Sequence, residues 1–161
     1  YQTFGIWETG RGTGSGTAGA ISVGAATAGS SIPTSGSATY SGHFGGAAIL
    51  TSGADWITTG SATAVADFAN RSLAFSTTNS KYLVPIASSP SWTPQSSMNM
   101  SGTLTYSAGT NSFSGSVTDV SGVSGTATGK FYGPNAEELG GVFSLVGSGT
   151  QIHSGAFGAK K

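Results

Sequence analysis

The chain of 161 residues contains no cysteine, few charged residues and no long apolar run. Without cysteine it can form no disulfide, no thiolate metal site and no thiol nucleophile. Charged residues make up 7% of the chain, against about 25% in average proteins, and six cations balance six anions. Nucleic-acid binding needs clustered cations to displace counterions from phosphates, so this composition argues against it. No stretch of about 18 apolar residues is present, so no helix is expected to span a membrane.

Most of the chain is glycine, serine, threonine and alanine, and bulky apolar residues alternate with these small or polar ones. In residues 37–44, for example, Tyr40 and Phe44 share one face while Ser41 and His43 share the other. This period-two pattern is typical of β-strands. Eight to ten such segments predict an all-β fold, an antiparallel up-and-down β-barrel of about eight strands, as a single domain over residues 1–161. A β-sandwich is the alternative.

The barrel prediction assigns roles to glycines and aromatic residues. Glycines inside strands allow the sharp coiling that a small barrel needs, and they are Gly42, Gly102, Gly115 and Gly125. The interior of an eight-stranded barrel is just wide enough for side chains. The aromatic residues expected to fill it are Phe4, Trp7, Phe44, Phe75, Phe113, Phe131, Phe143 and Phe157.

Two segments resist strand assignment and are expected to be loops. Residues 10–16 are rich in glycine and contain Arg11, and residues 81–95 contain three prolines. Arginine and exposed aromatic side chains dominate interface energies. The candidates for contact with a partner are therefore Arg11, Trp56, Tyr82 and Trp92.

Charge gathers in residues 129–141 and 155–161, which contain five of the twelve charged residues: Lys130, Glu137, Glu138, Lys160 and Lys161. The glutamates are expected to cap the turn or to pair with Lys130 or the terminal lysines. A structural role for this corner is the favoured interpretation, and recognition by a partner is the alternative. The residues given scaffold roles are Pro33, Asp67, Asn70, Tyr132, Gly133, Pro134 and Glu138.

Catalytic chemistry is difficult to assemble from these residues. The histidines His43 and His153 lie on separate predicted strands, and no serine stands in a nucleophile elbow with a base and an orienting carboxylate. The prediction is that the chain is not an enzyme and has no metal site. His43 and His153 remain candidate haem ligands.

Four segments occur in a recognisable order: residues 32–42 (IPTSGSATYSG), 66–70 (ADFAN), 131–141 (FYGPNAEELGG) and 155–159 (GAFGA). This series resembles the C-terminal β-barrel domain of transferrin-binding protein B-like surface proteins, a group that includes factor H-binding protein and the haem-carrying hemophilins. The resemblance implies a bacterial outer-surface lipoprotein or a secreted solute-binding protein, exported by an outer-membrane translocator that recognises the barrel. It also implies that this chain is the C-terminal part of a longer protein whose other domain often holds the ligand.

The functional hypothesis is a non-enzymatic, monomeric barrel domain on the bacterial cell surface or secreted. Its partner would be a host or bacterial surface protein, in iron or haem acquisition or host interaction, and it would need no cofactor. The alternative is a small-molecule carrier that holds haem or a lipid within the barrel. A polar adhesin repeat is a third hypothesis.

Overall fold

The computed structural model describes residues 1–10, 17–53, 55–84, 87–147 and 150–161. These residues form strands and two short 3-10 turns, Gly29–Ser31 and Ser96–Met98, and none of their helical turns is long or apolar enough to cross a membrane. The strands are β1 (Gln2–Thr9), β2 (Thr17–Gly24), β3 (Ser37–Leu50), β4 (Asp55–Asp67), β5 (Ser72–Leu83), β6 (Thr93–Pro94), β7 (Met100–Tyr106), β8 (Ser112–Asp119), β9 (Ser124–Tyr132), β10 (Glu138–Gly147) and β11 (Thr150–Lys160).

Eight of these strands close into an antiparallel barrel. Neighbours along the chain are neighbours in the sheet, in the order β3-β4-β5-β7-β8-β9-β10-β11, and β11 pairs with β3 to close the circle. The predicted up-and-down barrel is confirmed, and the sandwich is not formed. Closure leaves the barrel strands without a free edge, apart from the two-residue β6 that adds to β5.

Alternation along each strand fills the barrel with aromatic side chains. Tyr40 and Phe44 of β3 are buried, as their shared face predicted. The ring of Phe131 lies at the centre of one aromatic cluster. Its centroid is 5.4 Å from the ring centroids of both Tyr106 and Phe113, 6.2 Å from that of Tyr40 and 6.3 Å from that of Phe68. Phe75, Phe143 and Phe157 are also buried in this core.

The strand glycines allow neighbouring strands to approach closely. A Cβ atom at each would overlap a carbonyl oxygen of the adjacent strand, and the glycine–carbonyl pairs are Gly42 with Gly158, Gly102 with Ser116, Gly115 with Thr103 and Gly125 with Ser144. At these positions a residue without a side chain is therefore required, and the role of the glycines in sharp coiling stays a prediction. Any larger residue there would push two strands of the barrel wall apart.

Strands β1 and β2 form a separate hairpin that lies on the outside of the barrel, over β10 and β11. The side chains of Gln2 and Phe4 rest on Gly140 and Gly158, where a Cβ atom would collide with them. The prediction that Phe4 and Trp7 fill the barrel is therefore wrong. Phe4 packs on its outer wall, and 49% of Trp7 is exposed on the far face of the hairpin.

The end of the barrel at which β4, β7, β9 and β11 finish is here called the corner end. The turn between β9 and β10 closes it, with positive φ at Gly133 (85°) and Ala136 (57°). Ala136 is fully buried, and its carbonyl accepts a hydrogen bond of 2.7 Å from the Tyr40 hydroxyl. Burial raises the pKa of Tyr40 well above its usual value, so this hydroxyl stays a donor. The charged motif thus plugs one end of the barrel.

Candidate partner-binding site

The opposite end, at which β3, β5, β8 and β10 finish, is here called the aromatic end. Three of the four predicted contact residues, Trp56, Tyr82 and Trp92, lie here, and Arg11 falls outside the described residues. Trp56 and Tyr82 were expected in loops, but they occupy the ends of β4 and β5. For Tyr82 the correction arises because β5 continues to Leu83, into the segment 81–95 that was expected to be a loop.

Trp56 and Tyr82 stack on each other. In the β4–β5 register Thr58 lies opposite Tyr82, so Trp56 is the diagonal neighbour of Tyr82 on the same face of the sheet. Diagonal pairs are within reach of aromatic side chains. The ring centroids are 3.9 Å apart with an interplanar angle of 16°, and both residues are half-buried. The stack therefore forms a fixed, amphipathic surface at the mouth of the barrel.

Trp92 is held beside this stack by β6. Thr93 pairs with Tyr82 and Pro94 with Lys81, which ties the proline-rich connection to the end of β5. The Lys81 ammonium lies 5.6 Å from the centroid of the Trp92 ring, within the range of a cation–π interaction. Trp92 nevertheless remains 44% exposed. It offers an apolar surface to a partner.

Two exposed valines at the same end were missed by the sequence reasoning. Val120, at 74% exposed, follows β8, and Val146, at 62% exposed, lies near the end of β10. The signal for Val120 was its position between Asp119 and the Ser121-Gly122 turn, where an apolar side chain has nothing to cover it. Together with Trp92 these valines make the aromatic end apolar on the outside.

The interior of the aromatic end is polar. His153 is buried, its Nε2 lies 3.0 Å from Thr58 Oγ1, and its Nδ1 has no hydrogen-bond partner in the described part of the chain. Ser80 Oγ is also buried, and it has no hydrogen-bond partner among the described residues either. Burial lowers the pKa of His153 to about 4, against a smaller opposing attraction from Asp119. His153 is therefore neutral at physiological pH.

The two histidines lie on opposite sides of the barrel wall. His43 is exposed on the outer face of β3, whereas the ring of His153 lies between Phe44 and Phe143 inside. They cannot bind one group together, so any haem would have a single histidine ligand. Among the described residues, no three His, Cys, Asp or Glu side chains gather as a metal site would require. Thr58 and His153 resemble a nucleophile and base, but each is only 1% exposed, so no substrate could reach them.

Comparison with known families identifies the barrel. Residues 32–161 match the family described as the C-lobe and N-lobe β-barrels of Tf-binding protein B. The chain belongs to this family. A comparison with curated protein sequences found no match.

Solved structures of transferrin-binding protein B share the fold of this barrel. The Haemophilus parasuis Hp5 protein (a double mutant) gives a TM-score of 0.67 at 20% identity, over 99% of this chain and 32% of that one. Intact Ap-TbpB gives 0.66 at 20% identity, over 99% and 33%. The isotype 1 protein of Neisseria meningitidis serogroup B gives 0.60 at 20% identity, over 98% and 32%. The chain thus spans about a third of the length of these structures.

The family match begins at Ile32, so it covers the whole barrel, while the β1–β2 hairpin precedes it. The predicted motif residues lie at the corner end of this barrel. Pro33 precedes β3, which begins at Ser37 after a positive φ at Gly36 (80°). Asp67 accepts hydrogen bonds from the backbone N–H (3.0 Å) and side-chain amide (2.7 Å) of Asn70, which lower the pKa of Asp67.

The two glutamates of the corner bind neighbouring amides. Glu137 accepts from the backbone and side-chain N–H groups of Asn135, and the backbone bond in particular lowers the pKa of Glu137. Glu138 accepts from the Gln2 N–H at 2.8 Å. Tyr132 places its hydroxyl 3.2 Å from Ser22 Oγ and so touches the hairpin. Glu137 therefore caps the turn, which is one of the roles expected for the pair. In the described residues neither glutamate forms an ion pair with Lys130.

Proposed function

We propose that this chain is the non-enzymatic barrel domain of a bacterial surface-exposed or secreted protein that binds a host protein through its aromatic end. The observation that carries the proposal is that one end of the barrel bears the Trp56–Tyr82 stack and three exposed apolar side chains, those of Trp92, Val120 and Val146. Transferrin is the first partner to test, because the related structures are named for binding it.

The physical case rests on how such residues act in interfaces. Tryptophan and tyrosine are enriched among the few residues that carry most binding energy, since they bury a large area and lose little side-chain entropy. Exposed apolar groups that cluster on one surface mark an interaction site more reliably than scattered ones. At the aromatic end the strands hold the rings in place. Little side-chain entropy would therefore be lost when a partner binds.

We propose further that the protein is displayed by an outer-membrane translocator that recognises the barrel. The low charge, with 7% of residues charged, fits a surface covered by hydroxyl groups. The barrel would act in the cell as a monomer, as one part of a longer protein. Its role would lie in iron or haem acquisition or in another host interaction.

The test uses immobilised chain and human transferrin in its iron-loaded and iron-free forms, measured by surface plasmon resonance. Trp92→Ala should weaken binding at least tenfold, because an exposed anchor tryptophan is lost. Trp7→Ala is the matched control, since Trp7 on the hairpin is 49% exposed and Trp92 is 44% exposed. Equal losses in both variants would contradict a role for the aromatic end, and no binding of either form would reject transferrin as the partner.

The carrier alternative is favoured by one observation, the buried and unpaired Nδ1 of His153. A haem or lipid held by His153 would have to displace the phenylalanine rings that surround it. Titration with haem tests it by absorbance near 400 nm. A Soret shift that His153→Gln removes and His43→Gln retains would support an interior carrier site.

A further inference from the structure

The β1–β2 hairpin keeps two free edges in a fold that otherwise closes its sheet. In the described part of the chain β2 is paired with β1 alone, and β1 with β2 alone. The Ala25 N–H donates to the Tyr1 carbonyl at 3.0 Å, which makes this pair a hydrogen-bonded one. Such pairs alternate with non-bonded pairs along an antiparallel ladder. Continuing the register, Ala18, Ala20, Ser22 and Gly24 turn their backbone groups away from β1, towards the free edge.

Most of this edge lacks the devices that normally block strand addition. One backbone group is occupied, because the Ser22 carbonyl accepts a hydrogen bond of 3.3 Å from the Tyr132 hydroxyl. Native edge strands are protected by lysine, proline, a bulge or a covering element. Strand β2 has the sequence TAGAISVG, without charge or proline, and its register with β1 is unbroken over eight residues. Its outer face exposes Ile21 (48%) and Val23 (53%). The edge is therefore open to an additional strand at Ala18 and Ala20.

A groove of about 610 Å³ lies where the next strand of this layer would lie, between the Gly24 end of β2 and the outer wall of β8, β9 and β10. Its floor bears Ser112, Ser114 and Thr128, together with the side chain of Lys130. Among the residues that the structure describes, Lys130 is the one charged residue that lines the groove. No carboxylate lies within ion-pair distance of it among the described residues. The groove is therefore complementary to a negative charge.

A second copy of the chain does not fit this edge with its barrel on the same face. Paired strands lie about 4.8 Å apart, so the midlines of two adjoining hairpins would be about 10 Å apart. Eight strands at this spacing close into a barrel roughly 15 Å across before side chains are counted. The two barrels would overlap, whereas a single extended segment would not.

We propose that the free edge of β2 is a strand-addition site for an extended segment of a partner protein. Alternate side chains of the added strand face the groove, where an acidic one pairs with Lys130. The others are apolar and lie beside Ile21 and Val23. Backbone hydrogen bonds supply affinity and the alternate side chains supply specificity in this mode of recognition. The site is on the barrel wall, apart from the aromatic end, and does not depend on the function proposed above.

The probe is an end-blocked peptide, Val-Thr-Val-Glu-Val-Thr-Val-Thr, with a matched peptide in which lysine replaces glutamate. Amide hydrogen exchange followed by NMR should show at least tenfold protection of the Ala18 and Ala20 N–H groups by the glutamate peptide. The lysine peptide should bind at least threefold more weakly. Lys130→Gln should remove this difference between the two peptides.

Edge-blocking variants complete the test. Ala20→Pro removes an N–H group that points away from β1, so the hairpin ladder should survive while peptide affinity falls at least tenfold. Ile6→Pro is the matched control, because Ile6 lies opposite Ala20 and blocks the other edge. Unchanged binding by Ala20→Pro, protection confined to β1, or no binding of either peptide at millimolar concentration would overturn the proposal. Protection of Ala18 and Ala20 by dimerisation without peptide would also overturn it.

Discussion

The two ends of the barrel treat their aromatic residues in opposite ways. At the corner end, Tyr40, Phe68 and Tyr106 surround Phe131 in the interior, and the turn before β10 covers them. At the aromatic end the interior holds the polar side chains of His153, Thr58 and Ser80 beside the rings of Phe44 and Phe143. The other aromatic rings of this end lie at the mouth, where Trp56 and Tyr82 stack, or outside it. Both ends are built from the same strands. The corner end is organised for stability, and the aromatic end leaves apolar surface for contact.

The lysines show the same contrast. Lys161 lies 5.7 Å from the ring centroid of Tyr40 and 5.9 Å from that of Phe68, so it covers the plug of the corner end. Lys81 lies over Trp92 alone, which stays exposed. Lys161 thus covers the buried rings at the corner end, whereas Lys81 orients the exposed ring of Trp92. The comparison predicts how substitutions at the two ends should differ.

The largest effect is expected for Phe131→Ala at the corner end. Removing a buried phenylalanine costs about 3–5 kcal/mol through lost burial and the cavity left behind. The melting temperature should fall by roughly 10 °C for a domain of this size. Trp56→Ala removes a larger side chain from the aromatic end but should cost only about 1–2 kcal/mol, because Trp56 is half-buried.

Urea unfolding of both variants measures this difference directly. The control is Phe4→Ala, which removes an aromatic ring from the outer wall and should also cost less than Phe131→Ala. Equal losses from Trp56→Ala and Phe131→Ala would show that the aromatic end belongs to the core, and the contrast between the ends would disappear.

An intermediate effect is expected from acid, and it should act on the aromatic end. The pKa of His153 is lowered from 6.5 to about 4 by burial, so the folded state favours the neutral ring. The corresponding stability is complete above pH 6.5 and is lost as the pH falls towards 4, because the unfolded chain takes up the proton first. The loss should amount to about 3 kcal/mol.

The measurement is the free energy of unfolding of the wild type and His153→Gln at pH 7.0, 5.5 and 4.5. The variant should lack this dependence, while His43→Gln should retain it because His43 is exposed. Asp67 and Glu137, whose pKa values are lowered, lose their contribution only at more acidic pH. A wild type and His153→Gln that lose stability in parallel would show that the buried histidine is not the group responsible.

The smallest effects are expected from the lysines. Lys161→Gln loses a cation near two rings and should cost about 1 kcal/mol, whereas Lys81→Gln loses one contact at an exposed ring and should cost about 0.5 kcal/mol. Thermal unfolding at low and high salt would measure both. A larger loss from Lys81→Gln would reverse the assignment of covering and orienting roles.

The barrel itself could be predicted because period-two alternation and turn residues are local signals. The same alternation misplaced Phe4 and Trp7, since it separates two faces of a strand without showing which surface covers either face. The β1–β2 hairpin obeys the pattern and yet packs outside the barrel. The hairpin packs on Gly140 and Gly158, which lie opposite each other in the β10–β11 register. Because this pairing depends on the register, the sequence alone does not show where the hairpin packs.

The candidate site was predicted as residues but not as an arrangement. Trp56 and Tyr82 are far apart in the sequence, and they stack because of the β4–β5 register. The β5–β6 register brings Trp92 to the same end of the barrel. The burial of His153 could have been inferred, because it shares its face of β11 with Phe157. The exposure of Val146 could have been inferred too, because it shares its face of β10 with Ser144, opposite Phe143 and Leu145.

The pairing of β3 with β11 has a consequence for the order of folding. This seam joins Ser41 to Lys160 and Phe44 to Phe157, residues from opposite ends of the barrel sequence. Contacts between residues so far apart in the sequence form only after a long loop has closed. The entropy lost in that closure opposes folding before the contacts stabilise the barrel, and folding is therefore slow. The barrel also cannot close until its last strand has been synthesised. If the protein leaves the cell, as proposed here, its chain would therefore stay unfolded, and able to pass through a membrane channel, for longer than a helical protein of equal length.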